Sequence, residues 1–299
     1  MRKKWRQKWQ RLDERKKDNL RDLAFISPSI MGVSVFFIVP FFVIVYYSLI
    51  NNPIRHEFVF LNNFIALFKN SAFTTAAKNT AVFSLIAVPL AVVLSFLLAQ
   101  MLESRIPLKS QFRTFFLSPM MVPVASVVLI WQVLFSNNGT LNDFLSLFGM
   151  EKIDWLKSQY AQVVVVTLFL WKNLGYNMIL FMAALNNIPK ELIEVADMDG
   201  ASPLFKFKNI IVRYLSPTIL FVTILSLINS FKVFREVYLL TGEYPVESLY
   251  MLQHFMNNTF KALDYQKLSA AAVLMALVMV VIIALLFVFE DKLGKDVEG

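Results

Sequence analysis

Six long apolar runs dominate this chain, and they decide its solvent. A membrane-spanning helix needs about 20 mostly apolar residues. The windows 24–50, 80–102, 114–135, 161–185, 215–231 and 268–289 meet that description. The fifth is the shortest and can extend backwards through 210–212. Hydrophobic residues make up 57% of the chain, with 29 Phe, against roughly half in a soluble domain. A soluble core of this size has no use for so much apolar surface. Pro40, Pro89 and Pro123 lie inside the runs. Membrane helices tolerate proline because neighbours satisfy the freed carbonyls. The expected fold is all-α, with about six transmembrane helices across 24–290, a basic segment at 1–23 and a tail at 291–299.

Lys and Arg orient the spans, because they concentrate in cytoplasmic connections. Nineteen lie in the N-terminal segment, the 103–113 loop, the 186–213 loop and the tail. Nine lie in the three alternate connections, and Lys172 stands alone inside a span. Both termini are expected to be cytoplasmic, as is the 186–213 loop. The stretch MRKKWRQKWQRLDERKK reads as an anchor on anionic lipid or as a solvated basic tail. The first run is longer than the about 7–15 apolar residues of a signal peptide, and no small-residue cleavage site follows it.

The loop 186–213 carries EVADMDGASP. Residues 188–199 place Ile188, Leu192, Val195 and Ala196 on one helical face. Gly200 is a helix stop, free to take positive φ. Ser202 and Pro203 form an N-cap and first-turn pair that restarts a helix in a new direction. The product is a kinked helix pair with a small-residue elbow. On this pattern alone, an ordinary interfacial loop fits as well.

The spans are nearly free of chemistry. The fourth reads LFLWKNLGYNMILF, bringing Lys172, Asn173, Tyr176 and Asn177 together, with Trp171 beside them. The fifth carries Ser226, Asn229 and Ser230. Polar groups in hydrocarbon usually face a bundle interior or a wet cavity. They read as a sugar site, with Tyr176 and Trp171 offering ring faces, or as interhelical hydrogen bonds worth about 0.6 kcal/mol each. None of the six windows contains Asp or Glu, which argues against a proton-coupled transporter. Lys172 keeps an anionic cargo open.

Other classes are excluded. There are no cysteines and only two histidines, far apart, so no thiolate metal site or disulfide forms. No G-x-x-x-x-G-K-[ST] loop occurs, so the chain does not hydrolyse ATP by that route. No H-E-x-x-H or G-x-S-x-G motif suggests an enzyme. Nothing points to nucleic acid.

Glu194, Ala196, Asp199 and Gly200, followed after nine residues by Ile210, resemble the EAA motif of binding-protein-dependent ABC transporter permeases. Val195 replaces the first alanine of that motif, and Val212-Arg213 replaces its Leu-Pro. Pro217 offers a break instead. SPSIMGVSVFFIVPFFVIVYYSL, LNNFIALF, Lys78–Thr80, NNGTLNDFLSLFG and FKVFREVYLLTGEYP also resemble the carbohydrate-type members, specifically the first of two permeases, although Glu243 and Tyr244 interrupt the glycine run of the last segment. The resemblance implies a type I importer fold with a cytoplasmic coupling helix, in a bacterial-type cytoplasmic membrane. It implies a second homologous permease, two ABC ATPase subunits that use ATP and Mg, and an extracytoplasmic solute-binding protein. This chain would bind no cofactor and catalyse nothing. The resemblance assigns Glu194, Ala196, Asp199 and Gly200 to ATPase coupling. It places Lys172, Asn173, Tyr176, Ser226, Asn229 and Ser230 near the path of a sugar or oligosaccharide, with uronate or glycerol phosphate as the anionic alternative. Residues 236–267 are expected to touch the binding protein or to lie on the membrane as an amphipathic helix.

Overall fold

A computed structural model describes residues 21–103 and 107–294. Most of the basic N-terminal segment, Arg105 and the end of the tail lie outside the described residues. Six helices are long and apolar enough to cross a membrane: Arg21–Ser48, Ser71–Glu103, Val124–Ser146, Ala161–Asn186, Ser216–Thr241 and Tyr265–Lys292. No strands occur among the described residues, apart from one isolated bridge between Ile50 and Phe58. The chain divides into two compact units, 1–66 with 264–274 and 67–263 with 275–299.

In the smaller unit, the first span exposes large apolar side chains along its length, among them Phe25, Phe36, Phe37 and Phe42. Residues Ser34–Ile38 are π-helical and lead into Pro40. Proline cannot donate to the carbonyl four residues earlier, and a π-turn absorbs that fault. Beyond the span, Asn63 Nδ2 donates to the Ser48 and Ile50 carbonyls at 2.9 Å each, closing the outer turn.

The larger unit is built on the second and fourth spans. Ala87 and Ala91 are fully buried in one cluster with Phe83, Val165, Phe169 and Val237. Small residues let membrane helices approach closely where no hydrophobic driving force acts between them. A second cluster joins Ala99, Met178, Phe181, Leu215 and Val222. The third and fourth spans approach tightly at Gly175. A Cβ there would sit 1.8 Å from the Phe116 carbonyl oxygen, so only glycine permits this crossing.

Three spans differ from expectation. The second begins at Ser71, well before residue 80, because Thr80 and Asn79 are consumed by contacts that hold the outer loop. Asn79 Nδ2 donates to the Glu247 and Tyr250 carbonyls, and the Leu252 N–H donates to Thr80 Oγ1. The third is broken into Lys109–Met121 and Val124–Phe135. Val122 is extended at φ −80°, ψ 129°, as the residue before Pro123 prefers. The fifth runs on to Thr241, past Lys232, Arg235 and Glu236. The expectation that the spans hold no acid is therefore wrong. Hydropathy stops at charge, but the helix continues because Glu236 finds an ionic partner. The sixth span also contains an acid, Glu290, which accepts from Ser216 Oγ at 3.2 Å.

Candidate functional site

The elbow forms as its sequence suggests. Its first helix is Lys190–Met198, with Pro189 as N-cap. Gly200 has φ +71°. The Gly200 N–H donates to the Asp197 carbonyl at 3.1 Å and the Ala201 N–H to the Ala196 carbonyl at 2.9 Å. That pair of bonds is a Schellman cap, which requires the left-handed residue glycine supplies. Ser202 Oγ then accepts from the Phe205 N–H at 3.3 Å, with Pro203 in the first turn. A Lys206–Asp197 ion pair braces the two arms.

The restarted helix reaches the fifth span with little interruption. It passes through a π segment, Phe207–Ile211, and through Val212–Tyr214 before Ser216. Pro217 falls in the first turn of Ser216–Lys232, where its missing N–H is harmless. The elbow is thus joined to a spanning helix by continuous helical backbone.

One side of the elbow is an open concavity of about 560 Å³, lined by Glu191, Leu192, Val195, Ala196, Asp199, Ala201, Ser202 and Phe205. Val195, Leu204 and Phe205 are more than half exposed and Met198 is 87% exposed. Of the four proposed coupling residues, Ala196 and Asp199 line this hollow and Ala196 is buried. Gly200 makes the turn, and Glu194 is exposed on the first helix.

The polar residues of the spans separate into two groups. Lys172, Asn173, Tyr176 and Asn229 line one cavity of about 350 Å³, together with Met120, Leu168, Phe169, Leu225, Lys232, Val233 and Glu236. Met120 arrives there because the third span breaks just beyond it. Asn229 Nδ2 donates to Asn173 Oδ1 at 2.8 Å, and Asn173 Nδ2 donates to the Phe169 carbonyl at 2.8 Å. Ser226 and Ser230 do not line the cavity. Ser226 Oγ accepts from Asn177 Nδ2 at 2.9 Å, and Ser230 Oγ meets Ser84 Oγ at 2.8 Å. All four are buried and tie the spans together. Trp171 does not line the cavity either. Its ring lies edge-on to Trp131, 6.3 Å between centroids.

Sequence reasoning missed Glu236. It is buried, and its carboxylate pairs with Lys172 Nζ. The signal was an acid four residues beyond Lys232, at helical spacing, but it lay outside the apolar window. Gly175 was missed as well, one residue before Tyr176.

Above the cavity, Leu252–Lys261 forms an outer helix that packs on the second span, with Phe255 and Phe73 rings 5.4 Å apart. Burial pushes the His254 imidazole down to about 4. Its Nδ1 accepts from the Met251 N–H, and Phe234, Tyr238 and Tyr250 surround the ring. Nearby, Lys261 bonds Glu243 and lies 5.7 Å over the Tyr238 ring. That bond holds the Glu243 carboxyl below its usual range and raises Lys261.

A further cluster organises the loop after the third span. Asn142, fully buried, donates to the Ser136, Asn137 and Ile153 carbonyls and accepts from the Ile153 N–H and Trp155 Nε1.

Comparison with known proteins gives three results. A family model described as "Binding-protein-dependent transport system inner membrane component" matches residues 92–299. The lactose transport system permease protein LacF of Rhizobium radiobacter is 29% identical over 279 residues, covering 91% of this chain and 94% of that protein. The sn-glycerol-3-phosphate transport system permease protein UgpA of Yersinia enterocolitica is 29% identical over 273 residues, covering 89% and 92%. Among solved structures, a chain of a bacterial ABC transporter that imports the acidic polysaccharide alginate superposes with TM-score 0.80 at 21% identity, covering 94% of this chain and 99% of that one.

Proposed function

The chain belongs to the family of binding-protein-dependent transport system inner membrane components, and from that premise we propose that it is the transmembrane permease subunit of an ATP-driven importer for a sugar or oligosaccharide. Its partners are a second homologous permease, two ABC ATPase subunits and an extracytoplasmic solute-binding protein. The observation that carries this reading is the elbow. A capped helix pair presents an apolar hollow with no occupant among the described residues, and continuous helix joins it to a spanning segment. Such a hollow suits a protein partner, and the joined helix suits the transfer of that partner's motion.

The chemistry divides accordingly. This chain lacks a phosphate-binding loop, so ATP and Mg belong to the ATPase subunits. ATP binding draws those subunits together, the elbows follow, and the fifth span moves with its elbow. The cavity of Lys172, Asn173, Tyr176 and Asn229 lies on the cargo path. Ser226 and Ser230 hold the helices that form it. Both termini and the elbow lie on the cytoplasmic side. Moving Lys232 and Arg235 into the fifth span removes two cations from the outer side and sharpens that asymmetry.

The test is a mild-detergent capture of the tagged chain from its native host, followed by mass spectrometry. An ATPase with a phosphate-binding loop and a second multispan permease are expected in the complex. A chain recovered alone, under conditions that preserve other membrane complexes, overturns the assignment. The relatives named above carry both neutral and anionic cargo, so family membership leaves the charge of the cargo open.

A further inference from the structure

Lys172 is the residue that suggests an anionic cargo, and its environment argues the opposite. Its ammonium is already answered by Glu236. Glu236 is 5% exposed and lines the same cavity. An incoming carboxylate or phosphate would approach Lys172 beside a buried like charge, an arrangement that discriminates strongly against the wrong ligand. A hydroxyl meets no such penalty. It accepts from Lys172 and donates to Glu236 at once, since ammonium only donates and carboxylate only accepts. Asn173 and Asn229 add to this pattern. Among the described residues, their mutual bond and the bond to Phe169 leave Asn229 with an unengaged carbonyl oxygen and a second N–H, again one acceptor and one donor.

One further cation lines the cavity. Lys232 lies a turn before Glu236 on the same helix and is exposed. Among the described residues it has no ion-pair partner. An exposed ammonium is hydrated and screened by salt, so it acts on a ligand far less than a buried charge does.

Resting on the reading of this cavity as part of the cargo path, we propose that Glu236 is a charge-selecting residue that neutralises Lys172 and tunes the cavity to neutral, polyhydroxylated ligands rather than carboxylates or phosphates. The pair of Lys172 and Glu236, not either residue alone, is the recognition element.

The chain has no cysteine, which allows a direct test in the complete purified importer. Tyr176→Cys places one thiol in the cavity. Its rates are measured with three methanethiosulfonates of similar size, one anionic (sulfonatoethyl), one cationic (trimethylammonioethyl) and one neutral (hydroxyethyl). Each rate is normalised to the same reagent with a free thiol and read on this chain by mass. With the pair intact, the normalised anionic rate is expected within about threefold of the neutral one. Adding Glu236→Gln is expected to raise the anionic-to-cationic ratio about tenfold or more, as loss of one buried charge at short range requires. Lys172→Met is expected to lower that ratio. The double change Lys172→Met with Glu236→Gln restores charge balance and is expected to bring it back near its starting value.

Two results overturn the proposal and leave the cargo path standing. One is a ratio that stays within about twofold in Glu236→Gln while the neutral reagent still labels. The other is an anionic rate already tenfold above the neutral one with the pair intact, which would make Lys232 the dominant charge. If the neutral reagent fails to label at all, the cavity is closed to water, and the cargo-path reading falls with the proposal. Should Glu236→Gln fail to assemble, Lys172→Met and the double variant decide, and a ratio unmoved by Lys172→Met overturns the proposal.

Discussion

At the residue scale, the chain is held by a few polar groups whose partners lie far away in sequence. Lys172 and Glu236 are the clearest pair. Removing one partner leaves a charge in a low-dielectric site, which costs about 3–5 kcal/mol, whereas replacing both is often nearly neutral. Lys172→Met is therefore expected to lower the thermal midpoint of the detergent-solubilised complex well below that of the double variant Lys172→Met with Glu236→Gln. Equal midpoints would mean that Glu236 is solvated and not truly paired. Asn142 works locally instead, on groups between 5 and 13 residues away. Asn142→Ala deletes five hydrogen bonds, each worth about 0.5–1.5 kcal/mol net. Limited proteolysis is expected to cut the 136–155 loop faster in the variant while the spans remain intact. The sequence made Lys172 conspicuous because a charge in an apolar run has no bland explanation. It hid Glu236, because an acid beyond the apparent end of a span looks like loop.

At the element scale, glycines decide geometry at two places for different reasons. Gly175 is required by contact, since any Cβ collides with the Phe116 backbone. Gly175→Ala must push the broken third span away from the fourth, and the expected result is poor assembly, read by size-exclusion chromatography. Gly200 is required by conformation alone, because a Cβ there meets nothing within 4 Å. The left-handed geometry costs an ordinary residue about 1–2 kcal/mol, and Asn suffers least. Gly200→Val is expected to abolish uptake while the protein remains in the membrane, and Gly200→Asn to retain most of it. Normal uptake by the valine variant would remove the elbow from the transport cycle.

The outer helix carries a pH signature. The His254 imidazole titrates near 6.5 when unfolded and about 4 in place. Between those values the unfolded segment binds more protons, so stability is full above pH 6.5 and is lost as pH falls toward 4, by up to about 3 kcal/mol. Hydrogen exchange of residues 252–261 is expected to speed up at pH 5 relative to pH 7, after correction for intrinsic rates, and the effect is expected to vanish in His254→Phe.

At the scale of the whole molecule, the proposed orientation puts the elbow on the side of the proposed ATPase and the outer helix on the side of the proposed binding protein. An impermeant maleimide is expected to label Tyr244→Cys from outside intact cells, and Gln111→Cys only after permeabilisation. Reversed labelling would put the elbow on the wrong side for an ATPase. Glu194→Lys is expected to block uptake without loss of the protein from the membrane, because it reverses charge on the elbow's exposed face. By itself the sequence determined the solvent, the number of spans, and the elbow and its turn. Each of these rests on local physics: apolar length against bilayer thickness, positive φ at one glycine, and an N-cap before a proline. Only the tertiary structure decided which polar side chains share a cavity and which merely join helices. It also decided where the third span breaks, how far the fifth extends, and that Lys172 has a carboxylate for a partner. Those outcomes depend on contacts between residues as much as 146 positions apart, and no local pattern encodes which face of one helix will meet which face of another.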